Sequence, residues 1–102
     1  MAGGMGSRYG GLKQVDSFGP NNESILDYSI FDAIKAGFNK VVILSSPKLE
    51  EYFEEKYQKI FSSINNVSLE IVIQDPKYGL GEYLLPEKRE KPWGTGQAIL
   101  CC

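Results

Sequence analysis

The segment Lys40-Val41-Val42-Ile43-Leu44 constrains the fold more than any other. An apolar run of strand length with no polar alternation reads as a strand of a parallel sheet, buried on both faces. Such a sheet needs helices to cover it, and helical patterns stand on either side. Upstream, Ser24 is placed as an N-cap with Asp27 three residues on. Behind it Ile25, Leu26, Ser29, Ile30, Ala33 and Ile34 recur at helical spacing until Gly37 stops the run. Downstream, Ser46-Pro47 opens a second helix with proline at its first position. Leu49, Phe53, Tyr57, Ile60 and Ile64 form the expected core stripe, and Glu50, Glu51, Glu54, Glu55 and Lys59 the wet face.

Ser68 to Gln74 reads as a second strand. Residues 75–93 hold three prolines, two glycines and a charge run from Glu87 to Lys91, the composition of an extended surface insertion. Residues 94–102 read as a turn entering a helix. The order loop, helix, strand, helix, strand, loop, helix predicts an α/β fold. Its expected form is a Rossmann-like three-layer α/β/α sandwich.

Composition narrows the function classes. Over 102 residues, 42% hydrophobic and 24% charged, the chain has room for one small domain. Thirteen acidic against 11 basic residues give a net charge of -2, so no general positive field exists to hold a polyanion, and nucleic acid is not the expected partner. Histidine is absent, which removes the commonest general base. The two cysteines, Cys101 and Cys102, are adjacent and suit neither a zinc cluster nor a disulfide framework. No apolar run reaches membrane-spanning length and Met1 is followed by glycines rather than a signal core, so the expected compartment is the cytoplasm.

The opening of the chain, Ala2-Gly3-Gly4-Met5-Gly6-Ser7-Arg8 with Lys13, is suited to phosphate. Closely spaced glycines let backbone N–H groups turn toward an anion without Cβ clashes. Arg8 can fork onto two phosphate oxygens, and Lys13 adds a mobile point charge. A Walker A loop is excluded, because Gln14 follows Lys13 where serine or threonine is required. A dinucleotide fingerprint is excluded by Tyr9 in the place of its third glycine.

These residues resemble the signature of the sugar-phosphate nucleotidyltransferases. In that family a glycine loop with Thr or Ser before Arg is followed by a lysine, commonly after proline; here Leu12 takes the proline's place. Gln74 at a strand end, and Gly94-Thr95-Gly96-Gln97-Ala98 at the start of a helix, resemble the family's base-reading elements. The resemblance spans residues 1–102 and implies the N-terminal, nucleotide-binding part of a single domain of the nucleotide-diphospho-sugar transferase type.

The implied reaction is attack of a sugar 1-phosphate oxygen on the α-phosphorus of a nucleoside triphosphate, releasing pyrophosphate. A phosphate dianion needs no base, so the task is positioning and charge neutralisation. By the resemblance Arg8 and Lys13 are catalytic: Arg8 holds the pyrophosphate and Lys13 bridges the α-phosphate and the incoming phosphate. Met1, Ala2, Gly3, Gly4, Met5, Gly6 and Ser7 lie along the nucleotide. Gln74, Gly94 and Thr95 read the base. Magnesium completes the clamp, with its ligand aspartate expected beyond Cys102. Only Met1 and Ala2 represent the strand before the loop, so the expectation is an incomplete domain without transferase activity by itself. Two alternatives stay open on the same residues: a transferase for a non-sugar phosphorylated acceptor, and a nucleotide-binding regulatory module without catalysis.

Overall fold

The computed structural model describes residues 1–4, 9–10, 13–86, 88–89 and 91–102. Its elements are α1 (Ile25–Lys35), β1 (Lys40–Ser45), a 3₁₀ turn (Pro47–Leu49), α2 (Glu50–Ser62), β2 (Ser68–Ile73) and α3 (Thr95–Leu100). β1 and β2 pair in parallel, with Lys40 opposite Ser68 and Ser45 opposite Ile73. The chain is thus a mixed α/β unit built on a small parallel sheet.

The ends of α1 follow the chemistry of their sequence. Ser24 caps it in a reciprocal box: its backbone N–H donates to Asp27 Oδ2 at 2.6 Å, and the Asp27 N–H donates back to the Ser24 hydroxyl at 3.4 Å. At the other end Gly37 takes φ +97°, a left-handed conformation that glycine adopts without a Cβ penalty. Gly37 N–H then donates to Ile34 O and Phe38 N–H to Ala33 O, the paired bonds of a Schellman cap.

The core has one side in common. By strand alternation Val41 and Ile43 share a face, and their register partners Leu69 and Ile71 share it with them. Ile43 is buried in a cluster with Ile30 of α1 and Leu49, Phe53, Tyr57 and Phe61 of the α2 region, with Val41, Leu69 and Ile71 packed against it. Both helices therefore serve the same face of the sheet. On the other face Val42 is 39% exposed while Leu44 is buried, so only the C-terminal half of β1 is enclosed from both sides. That corrects the expectation of burial along the whole run.

Two helix stripes also differ from expectation. In α1, Ile25 and Ser29 are exposed, and the inward stripe is Leu26, Ile30 and Ile34. In α2, Ile60 is 42% exposed and Phe61 takes its place in the core. Pro47 has no N–H, and the turn it opens closes with Leu49 N–H on Ser46 O, a tighter 3₁₀ turn rather than α-helix. The residues that follow are phased by i, i+4 contact of Leu49, Phe53, Tyr57 and Phe61.

α1 and α2 are tied by a polar knot at the rim of this core. Asp27 Oδ2 accepts from Lys56 Nζ at 2.7 Å and Oδ1 from the Tyr57 hydroxyl at 2.7 Å. Burial pushes the Asp27 carboxyl up, but hydrogen bonds from Lys56, the Ser24 backbone, Tyr57 and the Ser24 hydroxyl outweigh it, leaving the group below its ordinary value. Tyr57 moves the opposite way. Its burial, and then its bond to the Asp27 carboxylate, hold its proton on far more firmly than in a free tyrosine.

Candidate functional site

The carbonyl directions along β1 determine where the glycine segment lies. Ser45 O faces β2, where it accepts from Gln74 N–H at 2.9 Å. Alternate carbonyls of a strand face opposite edges, so Leu44 O faces away from β2, and there it accepts from Ala2 N–H at 2.6 Å. Ala2 is fully buried and belongs to the core cluster. The first residues thus run beside the C-terminal end of β1, with Gly3 buried at the level of Ser45.

Position 3 is a close approach that favours glycine. A Cβ there would stand 3.2 Å from both the carbonyl carbon and oxygen of Ser45 and 3.4 Å from Gln74 Oε1. A Cβ would therefore need the Ser45 backbone or the glycine segment to shift by a few tenths of an ångström. One residue on, Gly4 O accepts from Gln14 Nε2 at 3.0 Å. Gln14 therefore closes the neck of the loop between Gly4 and its return, and Lys13 is exposed beside that neck. Nearby, the Asp16 carboxylate raises the Tyr9 hydroxyl above its ordinary value.

Gln74 follows the last residue of β2 and is buried at 8% exposure. Its Nε2 donates to Gln97 Oε1 at 2.7 Å and to Trp93 O at 3.2 Å. Gln97 Nε2 in turn donates to Asp75 O at 2.7 Å and Tyr78 O at 3.2 Å. Residues 75–93 contain neither helix nor strand among the described residues. Their ends are joined by Trp93 Nε1 donating to Pro76 O at 2.7 Å, with the Arg89 guanidinium 3.5 Å over the indole. Gly94 caps α3 without a side chain, and nothing lies within 4 Å of where a Cβ would stand on Gly94 or Gly96. Open space therefore adjoins the exposed Gly94 and Thr95.

Of the residues marked in the sequence, the structure brings Ala2, Gly3 and Gln74 to one end of the sheet, and joins Gln74 through Trp93 and Gln97 to the start of α3. Lys13 stands on the return of the glycine loop. Met1 is 63% exposed at the outer end of the same segment. Met5, Gly6, Ser7 and Arg8 lie outside the described residues. Sequence reasoning missed the two glutamines that hold the arrangement, Gln14 and Gln97. Each was in view beside a marked residue, but each acts through bonds to backbone atoms 10 or more positions away.

Two surface depressions lie elsewhere. One, about 450 Å³, is bounded by Glu54, Gln58, Phe61 and Leu69, between α2 and β2. The other adjoins Asn39 and Asn66 at the opposite, N-terminal end of the strands. In open parallel sheets ligands bind outside the carboxyl ends of the strands, which favours the Gly3–Gln74 end over both. Among the described residues no three His, Cys, Asp or Glu side chains gather to hold a metal ion, and no helix is long and apolar enough to cross a membrane. No protein-family model matches the chain, and no curated protein matches it in sequence.

Proposed function

We propose that this chain is the nucleotide-binding part of a nucleotidyltransferase. The enzyme transfers a nucleoside monophosphate from a nucleoside triphosphate to a sugar 1-phosphate and releases pyrophosphate. The observation that carries the reading is the convergence at Gln74. Three segments far apart in sequence meet at the carboxyl end of a parallel sheet: the glycine loop, Gln74, and the Gly94–Gln97 turn. Those are the segments in which the sequence resembles the sugar-phosphate nucleotidyltransferases. On this reading the sheet is the centre of a three-layer α/β/α sandwich, with α1 and α2 forming one outer layer.

Each residue's task follows from its chemistry. Gly3 and Gly4 allow a nucleoside to lie against the backbone. Gln74 meets the base edge, in the open space beside Gly94 and Thr95. Lys13, exposed at the loop neck, neutralises the α-phosphate and the incoming phosphate, and Arg8 the departing pyrophosphate. The attacking group is already an anion, so no proton has to be removed and the absence of histidine is no obstacle. Magnesium supplies Lewis acidity in reactions of this kind. The described residues do not build a site for it by themselves, and the reading rests on the groups that touch nucleotide.

Isothermal calorimetry of the chain with ATP, CTP, GTP and UTP tests the proposal. Binding of at least one of them is expected, weakened about tenfold by Lys13→Ala, the loss of one charge-assisted phosphate contact. If none of the four binds at millimolar concentration, or if Lys13→Ala binds as tightly as the original chain, the reading fails.

A further inference from the structure

We infer that Gln97 is a positioning residue that turns the acceptor oxygen of Gln74 toward Gly3, so that the base group meeting Gln74 is an N–H donor. The inference rests on the nucleotide-binding reading and specifies the chemistry of its base contact. It starts from three atoms that can only accept. Asp75 O and Tyr78 O lie 2.7 Å and 3.2 Å from one end of the Gln97 carboxamide, and backbone carbonyls cannot donate. The group facing them must be the NH₂. The opposite end of Gln97, facing Gln74 at 2.7 Å, is therefore its oxygen.

That oxygen needs a donor, and Gln74 has one only on Nε2. Trp93 O, the third carbonyl, lies 3.2 Å from the same nitrogen and takes its second hydrogen. Both Gln74 amide hydrogens are thus committed to the protein. An isolated glutamine at a binding surface can flip and present either end. Gln74 cannot, because a flip would set its oxygen against Gln97 Oε1 and Trp93 O at once. What remains is Oε1, which stands 3.4 Å from where a Cβ would be on Gly3. The polarity presented there is fixed by backbone carbonyls at Asp75, Tyr78 and Trp93. An acceptor held in a fixed orientation accepts an N–H and disfavours an edge that offers only lone pairs or a methyl group.

The arrangement also gives residues 75–93 a role. Both ends of that segment are gripped by the two glutamines, at Asp75 and Tyr78 on one side and at Trp93 on the other. Release of the segment would free Gln74 to rotate.

The test has two arms on the full 102-residue chain. In ¹⁵N-labelled protein without nucleotide, the Gln74 carboxamide hydrogens are expected to exchange at least about tenfold more slowly than those of the exposed Gln58, as two made hydrogen bonds require. Gln97→Met is expected to release the hydrogen that faced it, so that exchange of Gln74 moves toward the Gln58 rate with an unchanged far-ultraviolet spectrum. Gln74 exchanging like Gln58 in the original chain overturns the inference, and that comparison stands even if the variant does not fold. Exchange of Gln74 unchanged by folded Gln97→Met overturns it as well.

In the second arm, whichever of ATP, CTP, GTP and UTP binds tightest is compared with its analogue methylated to remove the Watson–Crick-edge N–H groups: N6,N6-dimethyl-ATP, N4,N4-dimethyl-CTP, N1,N2,N2-trimethyl-GTP or 3-methyl-UTP. A loss of about tenfold or more in the original chain, shrinking in Gln97→Met, is expected from an unpaired acceptor. Equal binding of the pair overturns the inference. If no triphosphate binds, the nucleotide reading fails, and the exchange rates still decide whether Gln97 fixes Gln74.

Discussion

Replacing Asp27 by asparagine removes one charge and almost no volume. In the native chain its carboxylate accepts four bonds: from Ser24 N–H at 2.6 Å, the Ser24 hydroxyl at 2.8 Å, Lys56 Nζ at 2.7 Å and the Tyr57 hydroxyl at 2.7 Å. An asparagine can keep its oxygen toward Tyr57 only by turning its NH₂ onto the Ser24 N–H and the Lys56 ammonium, donor against donor. Losing the reciprocal cap costs about 1 kcal/mol. Leaving Lys56 without its partner, where side-chain exposure is 23% and 16% for the pair, adds about 2 kcal/mol, below the full penalty for a wholly buried ion pair. The sum is about 3 kcal/mol, a large share of the ~5–15 kcal/mol that holds a domain folded.

Acid provides the discriminating control. The folded Asp27 pKa lies below the ordinary 3.8, so its contribution is fully present above that value and is lost as pH falls through the folded pKa. Urea unfolding followed by circular dichroism is therefore expected to give a constant gap between Asp27→Asn and the original chain near neutrality. The gap should narrow below pH 3.8. Tyr57→Phe completes the cycle, with a coupling of about 1 kcal/mol to Asp27. A gap under about 1 kcal/mol at pH 7, or one that widens on acidification, would refute the reasoning.

Three further outcomes are expected. Gly37→Ala places a Cβ at φ +97° and is expected to cost about 1–2 kcal/mol in urea unfolding, while exposed Gly94→Ala should cost under ~0.5 kcal/mol. Phe53→Ala opens a cavity at a fully buried position and should cost about 3–5 kcal/mol by the same measurement. Gly3→Ala, whose Cβ meets the Ser45 carbonyl at 3.2 Å, is expected to weaken triphosphate binding in calorimetry more than it lowers the unfolding midpoint.

What could be read in the sequence was what local chemistry writes there. Both ends of α1 were legible because capping and left-handed termination are carried by single residues, Ser24, Asp27 and Gly37. The strands at Lys40–Leu44 and Ser68–Gln74 were legible because each concentrates apolar, β-branched residues over a strand's length. The choice between Ile60 and Phe61 was not, since both are apolar and stand three and four residues after Tyr57, where either can share its face. Nor was the exposure of Val42 on the second face of the sheet, which depends on what covers that face rather than on the strand.

In the site, Gly3 and Gln74 were marked from sequence, and the structure adds why they meet: β1 sends successive carbonyls to opposite edges, one to Ala2 and one to Gln74. Gln14 left no pattern, and Gln97 stood within the Gly94–Ala98 segment with no sign of its partners. A side chain that bonds a distant backbone carbonyl has no period and no neighbouring partner, and only the folded chain reveals it.

The claim that the carboxyl end of the sheet binds nucleotide is tested most directly by mapping. Backbone amide shifts of ¹⁵N-labelled chain are followed while ATP, CTP, GTP and UTP are added in turn. Saturable shifts are expected for at least one of them, centred on Gly3, Gly4, Gln74, Gly94 and Thr95. Shifts centred instead on the depression at Glu54, Gln58 and Leu69, or no saturable shift with any triphosphate, would contradict it.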